Sequence, residues 1–468
     1  MMKVNGRKLL LVSMAALLLL NLLAAPALPV PEIAGVIVQD RMLIPLRAVS
    51  ESLGAQVVWN GTDKDIEIRT GERTVELRLN SERARVNGRE IALDSPARLM
   101  GDKTYVPLRF VSEALGARVE WNQNDRSASV ILGGVGIRVT SGGGEIRHYT
   151  YGSADVVEIP YGSAYRAVMA LGQDQVGSTE SLESMAGRHG AAAAINGTFF
   201  EAYNQGDYKP PTGWSLIRNR RLVTFGGNHH TMFGFTDDGR VKVAFPEVMI
   251  WGGTNGSYSG GNWWDAANVN GMPIPESNRI AVFTREYGAT LGPEAGTMVV
   301  VTHGRVTQIT RNQAVAIPDD GFVILDQRSD PRFLGRFQIG TAVSYKPELR
   351  ENGMELDWSD VVTGIEMGPT LVRDGAIVVD PVSEGFDEAN ILSASGQRSA
   401  LGVKANGDVI LLVSPDLTIW QLAQVMSELG VWEAINLDGG ASSGLYLNGK
   451  YIKQPGRELS NALLFVPK

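Results

Sequence analysis

The residues best suited to chemistry lie near the C-terminus, in Ala434-Ile435-Asn436-Leu437-Asp438-Gly439-Gly440-Ala441-Ser442-Ser443-Gly444. An apolar run stops at one acid, and two glycines and two hydroxyls follow. A strand that ends this way delivers the Asp438 carboxylate to a place where Gly439 and Gly440 let backbone approach a ligand closely. Ser442, Ser443 and the exposed N–H groups beside them suit an anion or sugar hydroxyls. The competing reading is a strand followed by a polar turn. Glu366, at the end of Thr363-Gly364-Ile365, is a second candidate, because an acid in an apolar run is costly to bury unless it is paired or functional. Asp374 in Asp374-Gly375 is accounted for by a two-residue hairpin turn. Arg398 and Arg457 are the cation candidates. Asn196, ahead of Gly197 and Phe199-Phe200, can hydrogen-bond a sugar hydroxyl or amide. His229-His230 stand in a glycine-rich stretch and suit turn capping better than acid–base work.

The elements that must position these groups are legible upstream of Asp438. Thr418 and Gln421 have the spacing of a capping box. Ile419, Leu422, Val425, Met426 and Leu429 recur at helical spacing, with Gly430 as the terminating glycine. A helix therefore feeds a strand from Glu433 to Leu437, and Asp438 falls at the strand's C-terminal end, a usual place for ligands in open sheets. Its glycine-lined loop is expected to be solvated.

Four segments together resemble the phosphodiester glycosidase family: Ala194-Ile195-Asn196-Gly197-Thr198-Phe199-Phe200, Gly368-Pro369-Thr370-Leu371-Val372-Arg373-Asp374-Gly375, Arg398-Ser399-Ala400-Leu401-Gly402 and Asn436 to Ser443. The tail Arg457-Glu458-Leu459-Ser460-Asn461-Ala462-Leu463 fits as well, and all five occur in the family's order. Ala441 departs from the pattern, standing where a third glycine is usual. Asp438 and Glu366, from their sequence context, and Arg398, where the family pattern places a residue of this type, are the expected catalytic residues. Asn196, Gly197, Gly439, Gly440, Ser442, Ser443, Arg457 and Asn461 are the expected substrate-binding ones. Cleaving a C1–O bond to phosphate requires carboxylates at an oxocarbenium-like centre. Arginine, N–H groups and hydroxyls would hold the departing phosphate.

Composition bounds the rest. The 468 residues suffice for two or three domains, and a net charge of −8 provides no basic footprint for nucleic acid. With no cysteine and 5 histidines, thiolate and histidine metal sites are hard to build, and no cofactor is called for; a structural divalent cation stays open. Residues 1–27 read as a signal peptide, with Lys3, Arg7 and Lys8 before an apolar stretch and Ala25-Pro26-Ala27 as the cleavage pattern. An uncleaved anchor is the alternative, the one case in which a membrane is a partner. A bacterial secreted or envelope location follows, with cell-wall or exopolysaccharide glycan as partner.

Residues 31–132 contain an internal repeat. Ile44-Pro45-Leu46-Arg47 to Trp59-Asn60 recurs, 62 positions on, as Val106-Pro107-Leu108-Arg109 to Trp121-Asn122. Each copy reads as a helix ended by glycine and then a strand. This region resembles the copper amine oxidase N-terminal-like domain, without ligands for copper. Trp59 and Trp121 suit core packing better than sugar platforms. Residues 133–144, rich in glycine, read as the linker, and the catalytic domain spans 145–468. It shows hairpin signals and few helices, chiefly Leu182 to Arg188 and Thr418 to Leu429. The expected class is α+β: a strand-rich mixed domain preceded by a small α+β repeat domain. Ile250 to Asn278, with Trp251, Trp263 and Trp264, reads as a long functional loop. Three functions fit: an exported hydrolase of sugar-1-phosphodiesters, a non-catalytic glycan-binding envelope protein, or a metal-assisted phosphoesterase using Asp438 and Asp416.

Overall fold

The computed structural model describes residues 32–468, apart from 39–40, 61–64, 72, 94, 101–102, 123–126, 142–144, 212–213, 227–229, 272–278 and 329–333. The signal-peptide reading and His229 lie outside the described residues. The chain is strand-rich and divides into two compact units, Met1–Ser141 and Gly142–Lys468. No helix among the described residues is long and apolar enough to cross a membrane.

In the first unit, strand Arg41–Pro45, helix Leu46–Ser52 and strand Gln56–Asn60 are matched by Lys103–Pro107, Leu108–Leu115 and Arg118–Asn122. Proline caps both helices with its φ already near −60°, at Pro45 (φ −65°) and Pro107 (φ −58°), which sets the first turn. Leu108, Val111, Ala114 and Leu115 bury one stripe of the second helix, and Gly116 closes it in the left-handed conformation. Trp59 and Trp121 do not join the core: both lie on edge strands and are 41% and 43% exposed.

The expected linker also shifts. Gly133 and Gly134 both have positive φ and form the tight turn between Ser127–Leu132 and Val135–Ser141. The latter strand pairs with Glu32–Val38 inside the first unit. A glycine pair signals a two-residue hairpin as readily as a linker, and here the pairing decides for the hairpin.

Three sheets of the second unit pack around one core. At or near their centres run Ala193–Asn196, Val361–Glu366 and Val431–Leu437, the first two buried throughout and the third from Ala434 to Leu437. Ile195, Ile365, Leu401, Ile435, Leu437 and Leu463 meet in that core. Each such fully buried aliphatic side chain contributes roughly 1.5–3 kcal/mol. Helix Ile419–Glu428, with its capping box formed by Thr418 and Gln421, seals the outer face of the third strand's sheet through Ile419, Leu422, Ala423 and Met426. Gly402 is required there, since a Cβ would lie 2.6 Å from both Met426 Cε and Val431 Cγ1. The stretch expected to be a long loop instead holds strands Glu247–Thr254, Trp263–Ala266 and Asn268–Val269. Trp264 is buried against Gly252, whose missing side chain makes room for the indole. Aromatics and glycines that look like a lid are the two halves of one packing contact.

Candidate active site

The three central strands of the second unit end on the site residues: Asn196 closes the first, Glu366 the second, and Asp438 follows the third directly. Backbone pairing brings the ends together. The Asp438 N–H donates to Gly197 O at 3.1 Å, and Asn436 N–H donates to Pro369 O at 3.1 Å, three residues beyond Glu366. Strand Gly396–Lys404 pairs with Val431–Leu437 with Ser399 opposite Leu437, so Arg398 lies at the end of the same ladder.

Asn196 is 1% exposed and fully engaged. Its Oδ1 accepts from Ser399 Oγ at 2.8 Å and Gly444 N–H at 3.0 Å, while Nδ2 donates to Asp438 O at 2.7 Å. A side-chain amide with its acceptor doubly used has nothing left for a sugar, so Asn196 positions the Asp438 loop instead of binding substrate. The Asn461 amide is engaged in the same way. Its Oδ1 accepts from Thr198 N–H at 3.0 Å, and Nδ2 donates to Thr198 Oγ1 at 3.0 Å and Ser460 Oγ at 2.9 Å. Gly197 is the space that permits this network, because a Cβ there would stand 1.8 Å from Asn461 Oδ1.

Asp438 sits in a densely packed recess that keeps a partial opening to water. Burial pushes its carboxyl up to about 7, against the opposing pull of the Ser442 hydroxyl, the Arg457 charge and the Gly439 amide. The expected solvated loop is therefore a desolvated one. Gly440 takes a left-handed conformation (φ 59°) that starts the short turn Gly440–Ser442. Gly439 passes so close to Gln397 that a Cβ would meet its carbonyl oxygen at 2.8 Å. Ser442 and Ser443 are buried, and the Ser443 hydroxyl has no hydrogen-bond partner among the described residues. Ala441 is exposed, so its methyl group does not narrow the recess.

Arg398 is buried, and its Nη1 lies beside the Asp438 loop, 3.9 Å from where a Cβ on Gly439 would stand. Its side chain leaves the sheet on the side opposite Ser399, where Nε donates to Leu417 O at 3.0 Å and Nη2 to Asn390 O and Ala394 O at 2.6 and 2.8 Å. Three carbonyls hold the guanidinium without a carboxylate, and burial lowers its pKa from the ordinary value. Arg457 comes from a segment tied to the Asp438 loop, where Gly456 N–H donates to Ala441 O at 2.7 Å, and its charge favours ionisation of Asp438. It donates through Nη2 to Tyr203 OH at 2.9 Å and lies over the Tyr203 ring, 4.9 Å from its centroid.

Glu366 has no exposed surface, so it does not line the opening beside Asp438. Its two oxygens accept from backbone, Ser215 N–H at 2.8 Å and His230 N–H at 3.0 Å, and burial raises its pKa to about 7. A carboxyl held by two N–H groups orders the segments around Trp214 and His230 instead of pairing with an arginine. Over it lies an aromatic cluster: Trp214 is 4.8 Å from His230 and 5.7 Å from Phe199, centroid to centroid, and stacks on Phe386 at 6.2 Å. His230 Nε2 contacts Glu384 O at 2.8 Å, and Thr370 N–H donates to Glu384 Oε1 at 2.9 Å. Trp214, Glu384, Phe386 and Tyr203 carry no local pattern in sequence; only long-range pairing assembles them. Among the described residues no group of three or more His, Asp or Glu stands at metal-ligand separation, and Asp416 is exposed on its strand.

Comparison with known proteins now bears on this geometry. Residues 295–466 match the phosphodiester glycosidase family, and residues 27–130 match the copper amine oxidase N-terminal domain. A hypothetical protein from Synechocystis has the same fold at a TM-score of 0.58 and 17% identity, over 92% of this chain and 94% of that one. A Burkholderia pseudomallei protein described as exported follows at a TM-score of 0.57 and 19% identity, over 67% of this chain and 74% of its own. A Brevibacillus choshinensis protein named a protease inhibitor is 37% identical over 93 residues, 20% of this chain and 28% of that protein.

Proposed function

We propose that the second unit is an exported hydrolase that breaks the glycosidic C1–O bond of a sugar-1-phosphodiester in a cell-envelope glycan or exopolysaccharide. The observation that carries the reading is Asp438. A carboxyl held at the ends of three central strands, desolvated to a pKa of about 7 and faced by a serine and an arginine, sits within the phosphodiester glycosidase match. Glu366 shares the raised pKa but has no exposed surface, whereas Asp438 keeps an opening to water beside a serine and an arginine, as a functional carboxyl requires.

In the reaction the C1–O bond breaks with its electron pair leaving on the phosphate oxygen, and water supplies the oxygen that joins C1. Ionised Asp438 stabilises the positive charge developing at C1. A phosphate monoester is already a good leaving group, so its departure depends on charge stabilisation more than on a general acid. Arg457 and the hydroxyl and N–H groups of the Asp438–Ser443 loop fit that role. Asn196, Gly197 and Asn461 hold the loop, Arg398 holds the neighbouring turn, and Glu366 anchors the wall behind. Among these residues Asp438 is the one placed to touch the reacting carbon. The first unit, with Trp59 and Trp121 presented on edge strands, fits a glycan-binding module, since aromatic faces stack on sugar rings.

The test is incubation with an α-linked N-acetylglucosamine 1-phosphodiester. Free sugar and a phosphomonoester are expected from the wild type, and neither from Asp438→Asn. Equal turnover by the two proteins would refute the assignment.

A further inference from the structure

Strands Trp263–Ala266, Glu247–Thr254, Val343–Glu351 and Met354–Glu355 form one sheet whose outer face carries aromatic rings that the core does not use. Strand alternation divides its side chains. Val248, Ile250, Trp264 and Leu349 turn inward and pack with Ile217 and Val361, a cluster distinct from the one that holds Leu437. Trp251, Trp263, Ser344 and Lys346 take the alternate positions and turn outward. Trp251 stands opposite Asp265 and Gly253 opposite Trp263, so the two indoles are diagonal neighbours. Their centroids are 5.7 Å apart and their planes cross at 75°. Tyr258 completes the group. A Cβ on Gly253 would lie 2.5 Å from Ser257 O and 3.2 Å from Tyr258 Cδ1, so the missing side chain lets the turn fold back over the strand. The Tyr258 hydroxyl and Ser344 Oγ then share a hydrogen bond of 2.8 Å, and Lys346 Nζ stands 5.9 Å from the ring centroid. Trp263 and Tyr258 are each 40% exposed although their segments are firmly tied. Asn255 N–H donates to Ala342 O at 2.8 Å, Thr254 Oγ1 to Asn262 Oδ1 at 2.9 Å, and Arg336 Nη1 to Trp263 O at 2.7 Å.

We propose that Trp251, Trp263 and Tyr258 form a glycan-binding surface that holds pyranose residues of a single soluble polysaccharide chain. The rings are fixed before a ligand arrives, so stacking on the C–H face of a sugar costs little ordering. Hydrogen-bonding groups adjoin them: Asp265 and Lys346 flank Trp251 on the two neighbouring strands, roughly 5 Å to either side, within reach of the hydroxyls of a stacked sugar. The same two charges disfavour a lipid surface, which would have to desolvate them. A net charge of −8 disfavours nucleic acid. Rings crossing at 75° form a corner, which suits one chain in solution and not the flat face of a crystalline polysaccharide. Binding here needs no cleavage at Asp438, so loss of one property leaves the other standing.

Calorimetric titration of the full chain with cellohexaose, maltohexaose and N-acetylchitohexaose tests the surface. At least one should bind, and Trp263→Ala should weaken that binding about 10-fold, or about 1.4 kcal/mol. Trp263→Phe, which keeps an aromatic face, should lose less. An unchanged melting temperature in both variants shows that the fold persists. The first unit also exposes tryptophans, so a Trp59→Ala/Trp121→Ala protein is measured alongside. Binding lost in that protein and kept in Trp263→Ala would assign the glycan to the first unit and overturn the proposal. Failure of all three oligosaccharides to bind would overturn it as well. Dimerisation of the wild type that Trp263→Ala abolishes would, in that case, mark the face as a contact between copies of this chain.

Discussion

Replacing Asp438 by Asn should make the protein more stable and far less active, and both effects follow from the same desolvation. Burial raises the carboxyl from an ordinary 3.8 to about 7. At about 1.4 kcal/mol per pH unit, that rise corresponds to roughly 4 kcal/mol spent on keeping Asp438 ionised well above pH 7. The recess opens partly to water, so about half of this, near 2 kcal/mol, is the better expectation. The sign is fixed by linkage. Below about pH 4 the group is protonated in both folded and unfolded chains. Between about 4 and 7 the folded chain holds the extra proton, so stability declines as pH rises through the folded value. At pH 8, Asp438→Asn removes a buried charge and should raise the melting temperature by a few degrees; at pH 5 the difference should shrink by more than half, and it vanishes only below about pH 4. Turnover should fall by at least about 10³-fold, near 4 kcal/mol in the barrier. Paired melts at the two pH values with turnover at pH 8 decide the matter. A variant that melts lower at pH 8 and keeps most of its activity would show Asp438 to be a structural cap, and the reasoning would be wrong.

Other consequences are as specific. Arg457→Gln withdraws the charge that pulls the Asp438 pKa down, so the rising limb of the pH–kcat profile should move to higher pH; an unmoved limb would separate the two residues. Gly197→Ala puts a methyl group on Asn461 Oδ1 and should cost several kcal/mol, seen as a lowered denaturant midpoint with unchanged m. Asn196→Ala strips three hydrogen bonds from a buried position and should cost about 2–4 kcal/mol while lowering kcat more than it raises KM, since the Asp438 loop loses its tether.

Much of this organisation could be read before any coordinates. The capping box at Thr418, the hairpin at Asp374-Gly375 and the proline–helix–glycine units around Pro45 and Pro107 are local, and local signals survive folding. Strand ends marked by Asn196, Glu366 and Asp438 were also legible, because apolar runs stop there. What each side chain faces was not. Arg398 and Ser399 are neighbours in sequence, yet pleating sends one to the Asn390 carbonyl and the other to Asn196. Desolvation of Asp438 depends on density assembled from three sheets, so a glycine-rich loop that looks wet turns out dry. Glu366 looked like a catalytic acid because it is an acid in an apolar run. Two backbone N–H groups from distant segments satisfy it, and no spacing rule reveals them. Tyr203 has no distinguishing context at all until Arg457 is found over its ring.

The central claim is that the bond broken lies between C1 and oxygen, and hydrolysis in ¹⁸O-water tests it most directly. Attack at C1 leaves the phosphomonoester unlabelled, which is the result this account predicts. A phosphomonoester carrying one ¹⁸O would mean attack at phosphorus and would contradict it.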